Sequence, residues 1–302
     1  MKFKLINGQI PLKQNYQEMM IIDQYRFEEK KILVTMTPTA NFTAGITVNF
    51  ASGTITIDWK DGSSPENFTS GVEKTHTYVS AGTYVAEIYG NLGNITIFVA
   101  DSCRITKIEN MKTGLLTSLV LHTNLMSGEL DLSLCKISGS FLAYTQSSNF
   151  SVKFASSGNG LMTNVHIGSS NYVGIPDFSN VPLSGGLIAN GNTGSTGFIF
   201  STTGNGTFSS INLSGCNYGY INFLNISTSR NSTLIQLQNN AMTAEEVNHI
   251  LADLDSISTA GYTGRTINIG GTNADPDSSS GGYNGLAAKT SLEGKGFTVT
   301  IT

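Results

Sequence analysis

The sequence contains few charged residues. Only 13% of its 302 residues are charged, and 17 basic against 21 acidic side chains leave a formal net charge of −4. A nucleic-acid-binding surface needs Lys and Arg concentrated on one face, and so does a basic membrane-binding surface. The composition therefore predicts that neither nucleic acid nor a membrane surface is a partner.

Cysteine is scarce as well. The three cysteines, Cys103, Cys135 and Cys216, are widely spaced and form no CxxC pair. This arrangement argues against a zinc site or dithiol chemistry. We expect buried packing positions, with Cys135 and Cys216 beside strands, because a thiol packs like a small apolar side chain. A disulfide between two of them is left open.

Long apolar runs are also absent. No stretch reaches the roughly 18 apolar residues of a membrane-spanning helix. The N-terminus begins with basic residues, but its apolar run is interrupted at Asn7, Gly8 and Gln9, and no small-residue cleavage site follows. We therefore expect neither a membrane span nor a secretory signal peptide.

The sequence is instead rich in small and polar residues, with 33 glycines and many Asn, Ser and Thr. Its 39% of hydrophobic residues is enough to build a folded core. Gly and Asn tolerate the positive φ of tight turns, and Thr favours the pleated sheet. A mainly β chain of short strands and tight turns is the expected result.

One short pattern recurs between residues 116 and 240, a strand of alternating apolar residues that ends in Asn. The closing asparagines follow one another at steps of 21 to 25 residues, and one longer step of 33 leads to the last of them: Asn124, Asn149, Asn171, Asn192, Asn217, Asn240 and Asn273. Repeats of about 20–29 residues are typical of leucine-rich and related solenoids. The pattern predicts a solenoid of six to seven coils.

A second set of short apolar segments lies between these strands, at 130–134, 152–154, 175–178, 198–200 and 221–224. These stretches are rich in Ser, Gly, Thr and Asn, which are poor helix formers. Each coil is therefore predicted to have a front strand and an extended back segment in place of a helix.

The clearest predicted helix spans residues 243–255. Thr243 and Glu246 have the spacing of a capping box, and an apolar stripe follows at Val247, Ile250, Leu251 and Leu254. A shorter helix around 285–292 and an edge strand at 297–301 complete a predicted C-terminal α/β cap. Together with residues 102–242, this cap makes the solenoid unit 102–302.

Residues 32–101 alternate apolar and polar residues at period two in five segments, at 32–37, 46–50, 54–59, 83–89 and 95–99. Short strands with such turn signals predict a β-sandwich of immunoglobulin-like type. Residues 1–31 have the highest charge density in the chain. They are interpreted as a solvated N-terminal arm or as an attachment segment that becomes ordered against a partner.

Three motifs in this unit resemble the core motifs of PKD (polycystic kidney disease) domains. A Trp-containing strand enters an Asp-Gly turn, a His-x-Tyr segment follows, and a Gly-Thr-Tyr segment begins the next strand; the residues are Asp58, Trp59, Asp61, Gly62, His76, Tyr78, Gly82 and Tyr84. The usual Phe-Gly after the Trp is reduced to Lys60. The resemblance implies that Trp59 fills the space between two sheets.

The region from residue 116 resembles leucine-rich-repeat proteins of the bacterial-surface and phage-encoded kind, although its repeats contain little Leu. This resemblance implies a solenoid architecture with a shaped outer surface. Terminal coils of such arrays need caps. Residues 102–115 are predicted to connect the two units, and Ile105, Ile108 and Leu115-Leu116 are expected to cover the first coil.

No catalytic, cofactor-binding or metal-binding residue is assigned, and no cofactor is expected. His76 belongs to the PKD-like motif, and His249 lies on the polar flank of the predicted helix. His122 and His166 are predicted to project from an exposed strand face. The loop that contains Asp275 and Asp277 lacks the Glu and the spacing of an EF-hand, so a solvated loop is favoured over an ion site.

These observations predict a non-enzymatic bacteriophage virion protein, located on the exposed surface of the particle as a fibre, decoration or receptor-binding component. Expected partners are other virion proteins through the N-terminal arm, a host surface glycan or protein, and further copies in a homo-oligomer. The alternative is a secreted or surface-anchored bacterial adhesin module. A polysaccharide-cleaving enzyme is disfavoured because residues 116–240 contain only three acidic residues, Glu129, Asp131 and Asp177.

Overall fold

The computed structural model describes residues 31–228, 233–261 and 263–302. The predicted N-terminal arm, residues 1–31, lies outside the described residues except for Lys31. Throughout the described part the chain is mainly β, with two α-helices.

The N-terminal region is rich in antiparallel strands. They are β1 (Lys31–Met36), β2 (Phe42–Phe50), β3 (Ile55–Asp58), β4 (Glu66–Asn67), β5 (Lys74–Tyr78), β6 (Tyr84–Gly90), β7 (Ile95–Val99) and β8 (Ile105–Glu109). One sheet has the order β4-β3-β6-β1-β8, and β5, β2 and β7 form the end of a second, twelve-stranded sheet. All five strands predicted between residues 32 and 101 are present, β7 with the predicted ends and the other four with shifted ends, whereas β4, β5 and β8 were not predicted.

The solenoid makes about six turns. Its front strands are β9 (Leu115–Val120), β11 (Lys136–Leu142), β13 (Met162–His166), β14 (Leu183–Ile188), β15 (Thr207–Asn212), β17 (Leu234–Gln236), β18 (Arg265–Asn268) and β19 (Phe297–Thr300). They pair in parallel in this order, and the two-residue β16 (Ser227–Thr228) pairs beside β15. Residues in register form one buried apolar column, which runs through Leu119, Phe141, Val165, Leu187, Ile211, Ile235, Ile267 and Val299.

The back of the solenoid forms a ladder only in its first coils, where β10 (Gly128–Leu132) pairs in parallel with β12 (Phe150–Phe154). The predicted back segments at 175–178 and 198–200 share a single bridge, between Asp177 and Ile199, and 221–224 forms no strand. As predicted, none of these segments is helical, but in the later coils they do not pair into a continuous strand ladder. Aromatic rings connect these coils instead: the Phe154, Phe178 and Phe198 centroids follow one another at 4.9 and 5.3 Å.

Strand β7 and each front strand from β9 to β18 end in a corner that is stabilised by one buried side chain. We call the series of these side chains the corner ladder; it consists of Cys103, Asn124, Gln146, Ser170, Asn192, Cys216, Asn240 and Asn273. From Asn124 onward, each donates a hydrogen bond to the carbonyl of an inward-facing residue one coil earlier, at 2.6–3.3 Å. The ladder thus satisfies carbonyl groups that the corner turns away from water.

The predicted repeat markers divide into two groups. Asn124, Asn192, Asn240 and Asn273 belong to the corner ladder. Asn149, Asn171 and Asn217 are exposed residues near the corners, and the ladder positions of their coils are occupied by Gln146, Ser170 and Cys216. Since Gln, Ser and Cys also donate to a carbonyl, the ladder continues through the coils in which Asn is replaced. The three cysteines are buried, free thiols.

The N-terminal region and the solenoid share a continuous sheet. Strand β7 pairs antiparallel with β2 on one side and parallel with β9 on the other. Strand β8, within the predicted connection 102–115, pairs with β1, and the first back arc hydrogen-bonds to it through Leu125 N–H and Ile105 O at 2.9 Å. Ile105 and Ile108 are buried there, as expected of residues that cover the first coil.

Two helices lie near the C-terminus. Helix α1 (Ala244–Ile257) begins at the predicted capping box, in which Thr243 Oγ accepts from Glu246 N–H and Glu246 accepts from Thr243 N–H. Its buried face contains all four predicted apolar residues. Helix α2 (Gly285–Gly294) follows and leads into β19. Neither helix of the described chain has the length and apolar character that a membrane crossing requires.

Candidate functional site

The PKD-like motif residues converge on Trp59, which is fully buried. The His76 ring stacks on the indole at a centroid distance of 4.9 Å. Tyr78 meets Trp59 edge-on at 6.3 Å and contacts Tyr84 at 4.4 Å. Burial raises the pKa of the Tyr78 phenol, and nearby Asp61 raises it further. The structure therefore brings residues from three separated motifs into one aromatic cluster.

The turn after Trp59 is fixed by two carboxylates. Asp58 accepts from Lys60 N–H at 3.0 Å and pairs with its ammonium group at 2.8 Å. Asp61 accepts from Ser63 N–H at 3.0 Å and pairs with His76 Nε2 at 2.7 Å. Lys60 adopts a left-handed φ of 59° and Gly62 one of 95°, so the shortened turn closes through two left-handed residues. Gly82 lies against the Tyr84 ring, where an added Cβ would come within 3.1 Å.

The contacts of Asp61 predict that the fold loses stability when this carboxyl is protonated in acid. Burial alone raises the pKa of its carboxyl, but hydrogen bonds from Ser63 and the contact with His76 outweigh burial and lower the pKa to about 2. A carboxyl whose pKa is lowered by folding stabilises the fold above its unfolded pKa of about 4, and this stabilisation is lost as pH falls toward 2. We expect Asp61→Asn to cost about 1 kcal/mol at pH 7, a figure reduced for solvent screening.

The measurement is urea unfolding at pH 7 and at pH 3. Asp61→Asn should lower the free energy of unfolding at pH 7, and its free energy of unfolding should be closer to that of the wild type at pH 3. Asp275→Asn, in an exposed loop, is the matched control and should leave the free energy of unfolding unchanged at both pH values. An equal loss at both pH values would assign the effect to turn geometry and would contradict the role of the charge.

In the acidic loop near the C-terminus, the Asp277 carboxylate is hydrogen-bonded by neighbouring groups of the protein. Asp277 accepts from the N–H groups of Ser279 and Ser280 at 2.9 and 2.7 Å, from the Ser280 hydroxyl, and from Asn248 Nδ2 at 2.8 Å. The Ser280 hydroxyl, followed by the backbone N–H groups, holds the pKa of Asp277 well below its usual range. Within the described ranges, no group of three or more His, Cys, Asp or Glu side chains could hold a metal ion.

The outward face of the solenoid is nearly free of charge. We use this name for the solvent side of the six front strands from β9 to β17. These strands contain one Lys, Lys136 at the start of β11, and no Asp, Glu or Arg. Val120, Leu142 and Ile188 are half-buried on this face and lie in register with His166, forming an apolar stripe across the strands.

Three rings stack next to these apolar residues, and the last of them, His166, lies in register between Leu142 and Ile188. We call them the ring row: His122 and Tyr144 have centroids 4.5 Å apart, and Tyr144 and His166 have centroids 4.0 Å apart, with interplanar angles of 15° and 17°. Both histidines lie on the exposed side of the front sheet, as predicted. Tyr144 was missed because it lies two residues beyond the end of β11. Its position, three residues after buried Phe141, matches that of His122 after Leu119, and this offset is the signal that identifies it.

The polar atoms of the ring row differ in their partners. His122 Nδ1 lies 2.7 Å from Asp101 Oδ1 and 3.2 Å from Thr123 Oγ1. Among the residues that the structure describes, the Tyr144 hydroxyl and the ring nitrogens of His166 have no hydrogen-bond partner. Burial, with a smaller effect of His122, lowers the pKa of His166, which favours the neutral imidazole.

The arrangement around His122 resembles a catalytic triad in composition but not in geometry. A triad places the carboxylate and the nucleophile on opposite ring nitrogens. Asp101 and Thr123 both contact Nδ1 of His122. This geometry therefore provides no path for a proton from the Thr123 hydroxyl through the ring.

A second stack fixes helix α1 to the solenoid. The His249 ring lies between Tyr220 and Tyr283, at centroid distances of 3.9 and 4.0 Å. Buried Asp253 accepts from the Tyr220 hydroxyl at 2.7 Å and from Phe223 N–H at 3.3 Å. These contacts connect α1 to the back arc of the coil before it, so we assign this stack a structural role.

No family model, curated protein or solved structure matches this chain. What its surface can do therefore follows from its side chains. The ring row and the apolar stripe together offer hydrogen-bonding atoms next to an apolar strip, on a face almost without charge. Such a surface can hold a neutral ligand that has both polar and apolar edges.

Proposed function

We propose that this chain is a non-enzymatic binding protein that uses the outward face of its solenoid to contact a host surface glycan or protein. The observation that carries the proposal is the combination of a nearly uncharged sheet face with the half-buried ring row. Binding surfaces are depleted in charged residues and enriched in Tyr at their centres. A solenoid also presents such a surface over many coils.

We further propose that the N-terminal region is a PKD-like sandwich and that the solenoid is of the leucine-rich-repeat type with a C-terminal cap. The convergence of three motifs on Trp59 supports the first assignment. The corner ladder supports the second, because leucine-rich repeats place Asn or Cys three residues after an inward apolar position. Leu121 and Asn124 have this spacing, and so do Leu213 and Cys216.

The proposed location is the exposed surface of a bacteriophage particle, where the chain serves as a fibre, decoration or receptor-binding component. Residues 1–31 would attach it to other virion proteins, and a homo-oligomer is the proposed assembly. A secreted or surface-anchored bacterial adhesin module is the alternative. Both assignments use the same outward face for binding and differ in where the protein is found.

Two measurements test the proposal. Mass spectrometry and cryo-electron microscopy of purified particles should find the chain on the particle surface; its export by uninfected cells would support the adhesin instead. Separately, the labelled full chain should bind host cells saturably and leave cell-surface polysaccharide uncleaved. Release of shortened glycan by the purified protein would contradict the non-enzymatic assignment.

A further inference from the structure

The ring row runs along the solenoid axis. Its rings come from three successive coils, and their 4.5 and 4.0 Å spacings are close to the separation of neighbouring strands, about 4.8 Å. A ligand that follows the row therefore crosses the strands and meets an aromatic or imidazole ring in each of these three coils. This geometry suits a chain molecule with a short repeat more than a compact one.

The row and the stripe provide two kinds of contact side by side. The Tyr144 hydroxyl donates and accepts, and a neutral His166 offers one donor and one acceptor. The neighbouring side chains of Val120, Leu142 and Ile188 are apolar and half-buried. A pyranose ring has this same combination, with hydroxyl groups at its edge and C–H groups on its faces.

The surface next to His166 is also recessed, because a glycine lies there. In the following coil the residue in register with Asn164 is Gly186, and a Cβ placed on Gly186 would have only Asn164 Oδ1 within 4 Å, at 3.8 Å. The opening lies beside the apolar stripe and the last ring of the row. It leaves space for a ligand that continues toward β14.

Charge decides which chain molecule fits. The outward face has no cationic side chain beside the row, and Asp101 at the His122 end would repel an anionic polymer. A peptide that binds by strand addition needs a sheet edge, whereas the row lies in the middle of a sheet, with strands on both sides. A neutral polysaccharide meets both conditions, because it needs neither counter-charge nor backbone pairing.

We infer that the His122–Tyr144–His166 row and the adjoining Val120–Leu142–Ile188 stripe form a binding site for a neutral polysaccharide chain lying along the solenoid axis. The sugar rings rest on the stripe, and their hydroxyls hydrogen-bond with Tyr144 and His166. This assignment rests on the proposed function and specifies its ligand class.

The test uses the full chain on a microarray of neutral and anionic polysaccharides, followed by calorimetry with a soluble oligosaccharide of the neutral polymer that binds most strongly. Tyr144→Ala should weaken binding at least tenfold. Tyr144→Phe keeps the stack and loses only the hydroxyl, so we expect about fivefold weakening for one hydrogen bond. Tyr283→Ala, in the second stack, is the matched control and should leave binding unchanged, with circular dichroism confirming that every variant is folded.

Three outcomes would overturn this inference. They are binding of anionic polymers only, binding of no polysaccharide, or neutral-polymer binding that Tyr144→Ala leaves intact. Failure of the proposed function gives a different result, since the folded wild-type chain would then bind neither polysaccharide nor host cells. Saturable cell binding that requires a host protein would retain the proposed function and reject the polysaccharide site.

Discussion

Replacing Asn192 by Ala should destabilise the protein by about 3–5 kcal/mol, because three buried backbone groups, Ser170 N–H, Tyr172 N–H and Ile167 O, lose their partner at once. A fourth group, Ala189 O, loses one donor but still accepts from Cys216 Sγ and the Tyr218 hydroxyl. Asn192 is fully buried. Its Oδ1 accepts from Ser170 N–H at 3.0 Å and Tyr172 N–H at 3.4 Å. Its Nδ2 donates to the carbonyls of Ile167 and Ala189 at 2.9 and 3.1 Å. Each orphaned buried group costs about 1–3 kcal/mol, and partial entry of water keeps the total below the sum.

The measurement is urea unfolding followed by circular dichroism and by Trp59 fluorescence. Asn217→Ala is the matched control, since Asn217 is exposed and its Nδ2 donates to Thr193 O at 2.7 Å. We expect this control to cost less than about 1 kcal/mol. Equal losses of stability in the two variants would contradict the assignment of Asn192, and not Asn217, to the corner ladder.

Replacing Trp59 by Ala should cost about 3–5 kcal/mol, the usual loss for a large aromatic side chain removed from a core. The indole is completely buried, and both the His76 and Tyr78 rings pack against it. The variant is followed by circular dichroism because Trp59 is the single tryptophan of the chain. Val79→Ala, at a position that is 74% exposed, should stay within about 0.5 kcal/mol of wild type.

The Asn192→Ala variant also reports on the sheet shared by the N-terminal region and the solenoid. Because β7 pairs with both β2 and β9, loss of Asn192 should also lower the unfolding midpoint seen by Trp59 fluorescence. An unchanged fluorescence midpoint, with a separate circular-dichroism transition for the solenoid, would show that the two parts unfold independently. That result would contradict coupling through the β7–β9 pair.

Local signals were sufficient to predict several elements of the fold. The capping box at Thr243 and the stripe that ends at Leu254 predicted α1 to within two residues at its C-terminal end. Alternation at period two predicted β1, β2, β3, β6 and β7. These features depend on residues close together in sequence, whose spacing alone determines which side chains are buried.

The features that were missed depend on contacts between distant residues. Strand β5 has a single buried residue, Tyr78, so it carries no apolar alternation, and its pairing with β2 defines it. At the corners, Gln146 and Cys216 perform the same bonding as Asn192, and a search for Asn alone therefore finds exposed neighbours instead. The ring row is similar, because Tyr144 meets His122 and His166 only when successive coils are stacked.

The most direct test of the proposed binding surface introduces a charge on the outward face without changing its packing. Ser140 is half-buried between Ser118 and Asn164 in register, whereas Asn222 is exposed on the back of the solenoid. Saturable binding of the labelled full chain to host cells should fall at least tenfold in Ser140→Asp and stay unchanged in Asn222→Asp, with both variants folded. Unchanged binding by Ser140→Asp, or an equal loss in Asn222→Asp, would contradict the assignment of the outward face as the ligand surface.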